Sequence, residues 1–117
     1  MTLLPDTPLS PAFPLSWSSA AMDGGTVLVT LAGELDGTTA PGLRDHLEWL
    51  LAGACTRLVL DAGAVAFADI AAYELLREVG SRAVERGCDV VLADPGSHLL
   101  RFVRLLGAPE GITVDQW

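Results

Sequence analysis

Three short apolar runs, separated by stretches of helical periodicity, constrain this chain more than any other feature. Thr26 to Ala32 sets Val27, Val29 and Leu31 on one face and alternates them with Thr26, Leu28 and Thr30. That period of two predicts a strand with one strongly buried side. Arg57-Leu58-Val59-Leu60-Asp61 is too short and too β-branched for a helix, and Val90-Val91-Leu92-Ala93 is a third run of the same kind. Between the first two runs Leu43, Leu47, Leu50, Leu51 and Ala54 recur at helical spacing. Between the next two the stripe is Ala72, Leu76, Val79 and Ala83, and after the third it is Leu99, Phe102, Val103 and Leu106. Strands joined by helical crossovers run parallel, so the pattern predicts an α/β domain.

Punctuation between the runs sets the boundaries. Thr38 or Thr39 can cap the first helix, with Pro41 in the first turn, where a missing N–H costs little. Asp69 is placed to cap the second helix and Gly87 to stop it. Asp94-Pro95-Gly96-Ser97 opens a third helix, Gly107 closes it, and Ile112 to Val114 adds a short edge strand. Upstream, an extended segment from Phe13 to about Ser19 precedes the turn signal Asp23-Gly24-Gly25, which predicts a hairpin with the Thr26 strand. The order β-β-α-β-α-β-α-β gives a mixed, mostly parallel sheet of four to five strands, an antiparallel N-terminal hairpin and about three main helices. Residues 1–12, with Pro5, Pro8 and Pro11 among small polar residues, are expected to form a flexible tail, leaving 13–117 as a single domain.

Composition excludes several function classes. Seven Arg, no Lys and 15 carboxylates give a net charge of −8, which repels a phosphate backbone or an anionic membrane, so neither nucleic acid nor membrane is an expected partner. No apolar run approaches the ~18 residues needed to span a bilayer and no cationic leader begins the chain, which makes a cytoplasmic protein the expectation. Cys55 and Cys88 have no metal-ligand spacing and read as reduced, structural thiols in preference to a redox pair, while His46 and His98 read as surface residues. No nucleophile elbow, phosphate-cradling glycine loop or Cys–His neighbour is present, so neither catalysis nor a cofactor is expected.

In a sheet of this order, ligands and partners dock at the carboxyl ends of the parallel strands, where the loops at Glu34 to Asp36 and Phe67 to Ala72 both fall. The chain resembles the STAS family, the module of anti-sigma factor antagonists and of sulphate-transporter tails, over roughly Thr26 to Gly107. Leu31-Ala32-Gly33-Glu34-Leu35-Asp36 followed by Thr39-Ala40-Pro41 looks like the family's G-E-L-D strand end and helix start. Arg57 to Asp61, followed by Val65-Ala66-Phe67-Ala68-Asp69, looks like the strand and loop before the family's D-S-S-G or D-S-T-G. The resemblance implies a protein-binding module and a partner anti-sigma factor with a kinase-like ATP site, which in the family phosphorylates the hydroxyl residue after the Asp. Here Asp69 matches that Asp, Ile70 falls on the phosphoacceptor, Ala71 on the second hydroxyl and Ala72 on the Gly. Ile70 has no oxygen to phosphorylate, and Leu58 through Gly80 contains neither Ser nor Thr.

Helix geometry turns Ile70 about 140° from the Leu76, Val79 and Ala83 stripe, so it is expected to project outward. Two readings of an outward Ile70 stand open. It packs on the neighbouring loop, or it forms with Ala71 and Tyr73 an apolar docking spot, held in the state a phosphate would abolish. Glu34, Asp36 and Asp69 would likewise contact a partner's nucleotide site or hold Mg²⁺, against the stronger expectation that Asp69 is a helix cap and Asp36 a turn residue. Trp49, Leu100 and Leu105 are expected to be exposed and raise a homodimer as an option. Glu74, Arg77, Glu78, Arg82, Glu85 and Arg86 read as a solvated face tied by i,i+4 pairs. The two functions weighed are an anti-sigma factor antagonist-like regulator and a STAS scaffold or oligomerising subunit without anti-sigma contact; ligand binding at the acidic edge is a third.

Overall fold

The computed structural model describes residues 14–115. Its elements run β1 (Leu15–Ala21), a one-turn 3₁₀ helix (Asp23–Gly25), β2 (Thr26–Leu35), α1 (Ala40–Ala52), β3 (Arg57–Ala68), α2 (Ile70–Arg86), β4 (Asp89–Ala93), α3 (Gly96–Leu106) and β5 (Ile112–Asp115). The five strands lie in chain order, β1 antiparallel to β2 and every later pair parallel. Residues 1–12 and Phe13, the expected tail and first residue of the domain, lie outside the described residues.

Sequential order combined with right-handed crossovers puts α1, α2 and α3 on one face of the sheet. The register carries the consequence across the strands. Val29 pairs with Leu60 and Leu60 with Leu92, and all three are at most 1 % exposed beneath the helices. Leu43, Leu47, Leu50 and Leu51 of α1 and Leu76 and Val79 of α2 close the other side of this core. The alternate row Ala20, Leu28, Val59, Val91 and Thr113 runs along the opposite face.

Several expectations are corrected by packing. α1 ends at Ala52, so Ala54 is exposed in the turn beyond it. β3 continues past Asp61 to Ala68, because Ala64, Val65, Phe67 and Ala68 keep pairing with β2. Ala-rich sequence hid this extension from a reading based on β-branched residues. Leu106 is 56 % exposed rather than inward, and only Leu99 of α3 is fully buried. His46 is buried rather than on the surface: Ser19 of β1 supplies a polar partner, with Oγ 2.7 Å from His46 Nε2, and Trp17 lies beside the ring. Among the described charges, ion pairs join α1 to α2, Arg44 to Glu78 at 3.6 Å and Arg82 to Glu48 at 3.5 Å. The one pair within α2, Arg82 to Glu85, is i,i+3. Exposed pairs of this kind contribute at most about 1 kcal/mol each. Trp49 and Leu105 are exposed as expected, at 52 % and 71 %, whereas Leu100 is half-buried.

Candidate functional site

Two neighbouring strands deliver the two loops to the same edge. Glu34 of β2 pairs with Phe67 of β3 and Leu35 with Ala68, and the Asp69 N–H donates to the Leu35 carbonyl at 3.3 Å. The Asp36 turn and the Asp69 helix start therefore lie side by side. The pairing shifts register between Gly33 and Glu34 and then continues to Leu35. Gly33 has φ +112°, and a Cβ on it would collide with the Pro14 carbonyl, so no other residue fits this close approach of β1.

Asp36 is a turn organiser. Its Oδ1 accepts from the Thr38 N–H at 2.9 Å, the Thr38 hydroxyl at 2.7 Å and the Thr39 N–H at 3.1 Å. Thr39 Oγ1 accepts from the Asp36 N–H at 2.9 Å and donates to the Glu34 carbonyl at 2.9 Å. The Thr38 hydroxyl, followed by the Thr38 N–H, holds the Asp36 carboxyl below its ordinary pKa by favouring the charged form. Thr39 stands at the cap position of α1 without a side-chain bond into the helix, so the expected threonine cap is replaced by this loop-closing network, with Pro41 in the first turn. Asp69 does cap its helix: its Oδ1 accepts from the Ala71 N–H at 2.9 Å while its own backbone is extended. No group of three or more His, Cys, Asp or Glu suited to a metal ion occurs among the described residues. Glu34 is exposed on the same edge.

Immediately after the cap, Ile70 is 47 % exposed and Ala71 half-buried. Phe67, at the end of β3, is 42 % exposed and meets the exposed His98 ring of α3 at 5.2 Å between centroids. Ala71 and Glu74 face Gly37 and Pro41 across a shallow cleft of about 160 Å³ between the Asp36 loop and α2. Tyr73 is placed differently from the docking role considered for it. It is 6 % exposed, with its hydroxyl donating to the Gly107 carbonyl at 2.7 Å. Its burial follows from a core face of α2 wider than the Ala72, Leu76, Val79 and Ala83 stripe: Tyr73, Leu75 and Gly80 are buried as well. The Tyr73–Leu76–Gly80–Ala83 spacing was the available signal. Phe67 reaches the surface from the paired end of β3, beyond the expected strand end at Asp61.

The edge thus offers exposed apolar groups, Phe67 and Ile70, bordered by carboxylates, Glu34, Asp36 and Asp69, that are fixed by strand ends, a turn and a cap. A family model described as "Mlab, STAS domain" matches residues 18–113. The chain belongs to the STAS family. This STAS domain is similar in structure to the anti-sigma factor antagonist SpoIIAA in its unphosphorylated form, at 17 % identity and TM-score 0.72 over 85 % of this chain and 87 % of that one. It is also similar to an anti-sigma factor antagonist from Mycobacterium paratuberculosis, at 27 % identity and TM-score 0.68 over 84 % and 81 %. A murine anion transporter, Solute Carrier 26 family member A9, matches at 17 % identity and TM-score 0.63, over 80 % of this chain but 18 % of the transporter. The same fold therefore also occurs within a much larger protein. No curated protein matches the chain. No helix among the described residues is long and apolar enough to cross a membrane.

Proposed function

We propose that this STAS domain is a non-catalytic protein-binding module, an anti-sigma factor antagonist-like regulator of a sigma factor that cannot be phosphorylated at the family's usual position. Its partner is an anti-sigma factor with a kinase-like ATP site, met in the cytoplasm through Glu34, Asp36, Asp69, Ile70 and Ala71, with Phe67 extending the apolar part of that surface. One observation carries the reading: the residue after the capping Asp69 is an exposed aliphatic side chain, Ile70, in a segment that holds neither Ser nor Thr from Leu58 to Gly80, its one hydroxyl being that of the buried Tyr73. Phosphorylation of a hydroxyl at this place would add nearly two negative charges beside Asp69 and Asp36. With Ile70 there, occupancy of the partner is governed by abundance and shape.

Calorimetric titration against candidate anti-sigma factors tests this. Binding is expected with and without Mg-ATP, and Ile70→Glu is expected to weaken it roughly tenfold or more by setting a charge in the apolar contact. Absence of binding to any such partner, or an Ile70→Glu variant that binds as the wild type does, contradicts the proposal. A scaffold role is the second reading, supported by Met22 and Trp49, 55 % and 52 % exposed around one apolar cavity at the other end of β2. A stable oligomer by light scattering that Trp49→Glu dissociates would favour it.

A further inference from the structure

At the end of β3 remote from Asp69, two thiols that are 33 residues apart in sequence come together. Cys55 Sγ and Cys88 Sγ are separated by 3.9 Å. The approach is built into the sheet. Thr56 is clamped between strands, its N–H donating to the Gly25 carbonyl at 2.8 Å and its carbonyl accepting from the Asp89 N–H at 3.0 Å. Cys55 and Cys88 therefore enter β3 and β4 as neighbours, next to the paired residues Arg57 and Asp89. The two thiols differ in environment. Cys55 lies in the loop after α1, is half-buried, and forms part of the wall of an open apolar cavity of about 430 Å³ with Met22, Val27, Trp49 and Leu50. Cys88 is buried.

We propose that Cys55 is a peroxide-modifiable site and that Cys88 is the thiol that resolves it to an intramolecular disulfide. The oxidant is a hydroperoxide, hydrogen peroxide in the simplest case, which reaches Cys55 through the open cavity. The Cys55 thiolate attacks one peroxide oxygen and the O–O bond breaks. Cys55 becomes a sulfenic acid, and the departing hydroxide takes up the thiol proton as water. The Cys88 sulfur then attacks the Cys55 sulfur. The S–S bond forms, the S–O bond breaks, and the hydroxyl leaves with the Cys88 proton as a second water. Two electrons pass from the thiol pair to one peroxide. Closing the gap moves Cys55 Sγ toward Cys88 Sγ at the cost of its weak contact with the Arg57 carbonyl at 3.3 Å. The assignment of roles agrees with burial, which, with Cys55 alongside, pushes the Cys88 thiol up to about 12, so that Cys88 is held as the neutral thiol and the more accessible Cys55 meets the oxidant first. The bridge closes a loop that contains all of α2 and ties the starts of β3 and β4. Its effect is to raise stability without touching the Ile70 surface.

The test treats the full, reduced chain with equimolar hydrogen peroxide, alkylates the remaining thiols, and measures intact and peptide masses. The expected result is a monomer lighter by two hydrogens and closed to alkylation, with the Cys55 and Cys88 peptides linked. Its apparent Tm should lie above the reduced form's by roughly 5 °C or more. Cys88→Ala is expected to trap the intermediate as one dimedone adduct on Cys55, and Cys55→Ser to abolish both products. Two alkylatable thiols after peroxide, a bridge between two chains instead of within one, or a dimedone adduct on Cys88 in place of Cys55 would each overturn the proposal. Cys55→Ser is in a half-buried loop and so remains informative even where the core variant folds poorly.

Discussion

The Tyr73 hydroxyl donates to the Gly107 carbonyl at 2.7 Å and bolts the C-terminal end of α3 to the first turn of α2. Ile70 stands one turn before Tyr73, exposed where Tyr73 is buried. The exposed Leu106, whose carbonyl lies 3.4 Å from the Tyr73 hydroxyl, is thereby held at the same end of the domain. Tyr73 thus ties the end of α3 to the helix start that carries Ile70.

Tyr73→Phe keeps the ring and removes that bond, leaving the end of α3 held by packing alone. The expected loss is about 1 kcal/mol of stability in urea unfolding, with faster amide exchange confined to α3 and the first turn of α2. Uniform exchange across the domain would show that the bond has no local role.

Asp69→Ala removes the side-chain acceptor for the Ala71 N–H and should cost about 1 kcal/mol, with a range of roughly 0.5–2. Asp69→Asn, which keeps an acceptor oxygen, should recover most of it. A wild-type midpoint for the alanine variant would show that the cap is dispensable.

Asp36 links pH to the geometry of the acidic turn. Its pKa is depressed in the folded state, so its contribution is complete above the unfolded carboxylate value and is lost as pH falls through the lowered folded value. The stability gap between wild type and Asp36→Ala is therefore expected to shrink only below about pH 4. An NMR titration should place the Asp36 midpoint below the ordinary 3.8. A midpoint above it would contradict the hydrogen-bond network drawn around Oδ1.

Gly80→Ala sets two effects against each other. Alanine favours a helix interior by about 1 kcal/mol over glycine. Yet a Cβ at Gly80 would collide with the backbone carbonyl of Glu110 and meet Ile112 Cγ1 at 3.0 Å. Backbone cannot yield as a side-chain tip does, so the net change is expected to be destabilising, by about 1–3 kcal/mol, measured by urea denaturation. A stabilised variant would show that the segment before β5 moves aside without cost.

Much of the fold was legible because periodicity reports burial directly. The strands at Thr26, Arg57 and Val90 and the helix stripes of α1 and α2 carry enough large apolar residues to announce their faces. The missed features share a physical cause: each depends on contacts distant in sequence. The Ala-rich half of β3 is a strand because β2 offers it a ladder, and His46 is buried because β1 brings Ser19 to it. Tyr73 is buried because α3 returns to cover it. At the site, the outward direction of Ile70 and the cap at Asp69 followed from helix geometry alone, since both lie within one turn. The role of Asp36 as a turn organiser is legible in the sequence, whereas Thr38 and Thr39 carry the signature of helix caps and close the loop instead. The meeting of Cys55 and Cys88 left no trace in their spacing.

The account rests on Ile70 occupying the phosphoacceptor position as an exposed hydrocarbon. Incubating the intact chain with a bound anti-sigma kinase and Mg-ATP, followed by intact-mass measurement and by titration of the recovered protein, tests this most directly. The account predicts an unchanged mass and an unchanged affinity for the partner. A gain of one phosphoryl group mapping to the edge formed by the Asp36 loop and the start of α2, with loss of binding, would contradict it.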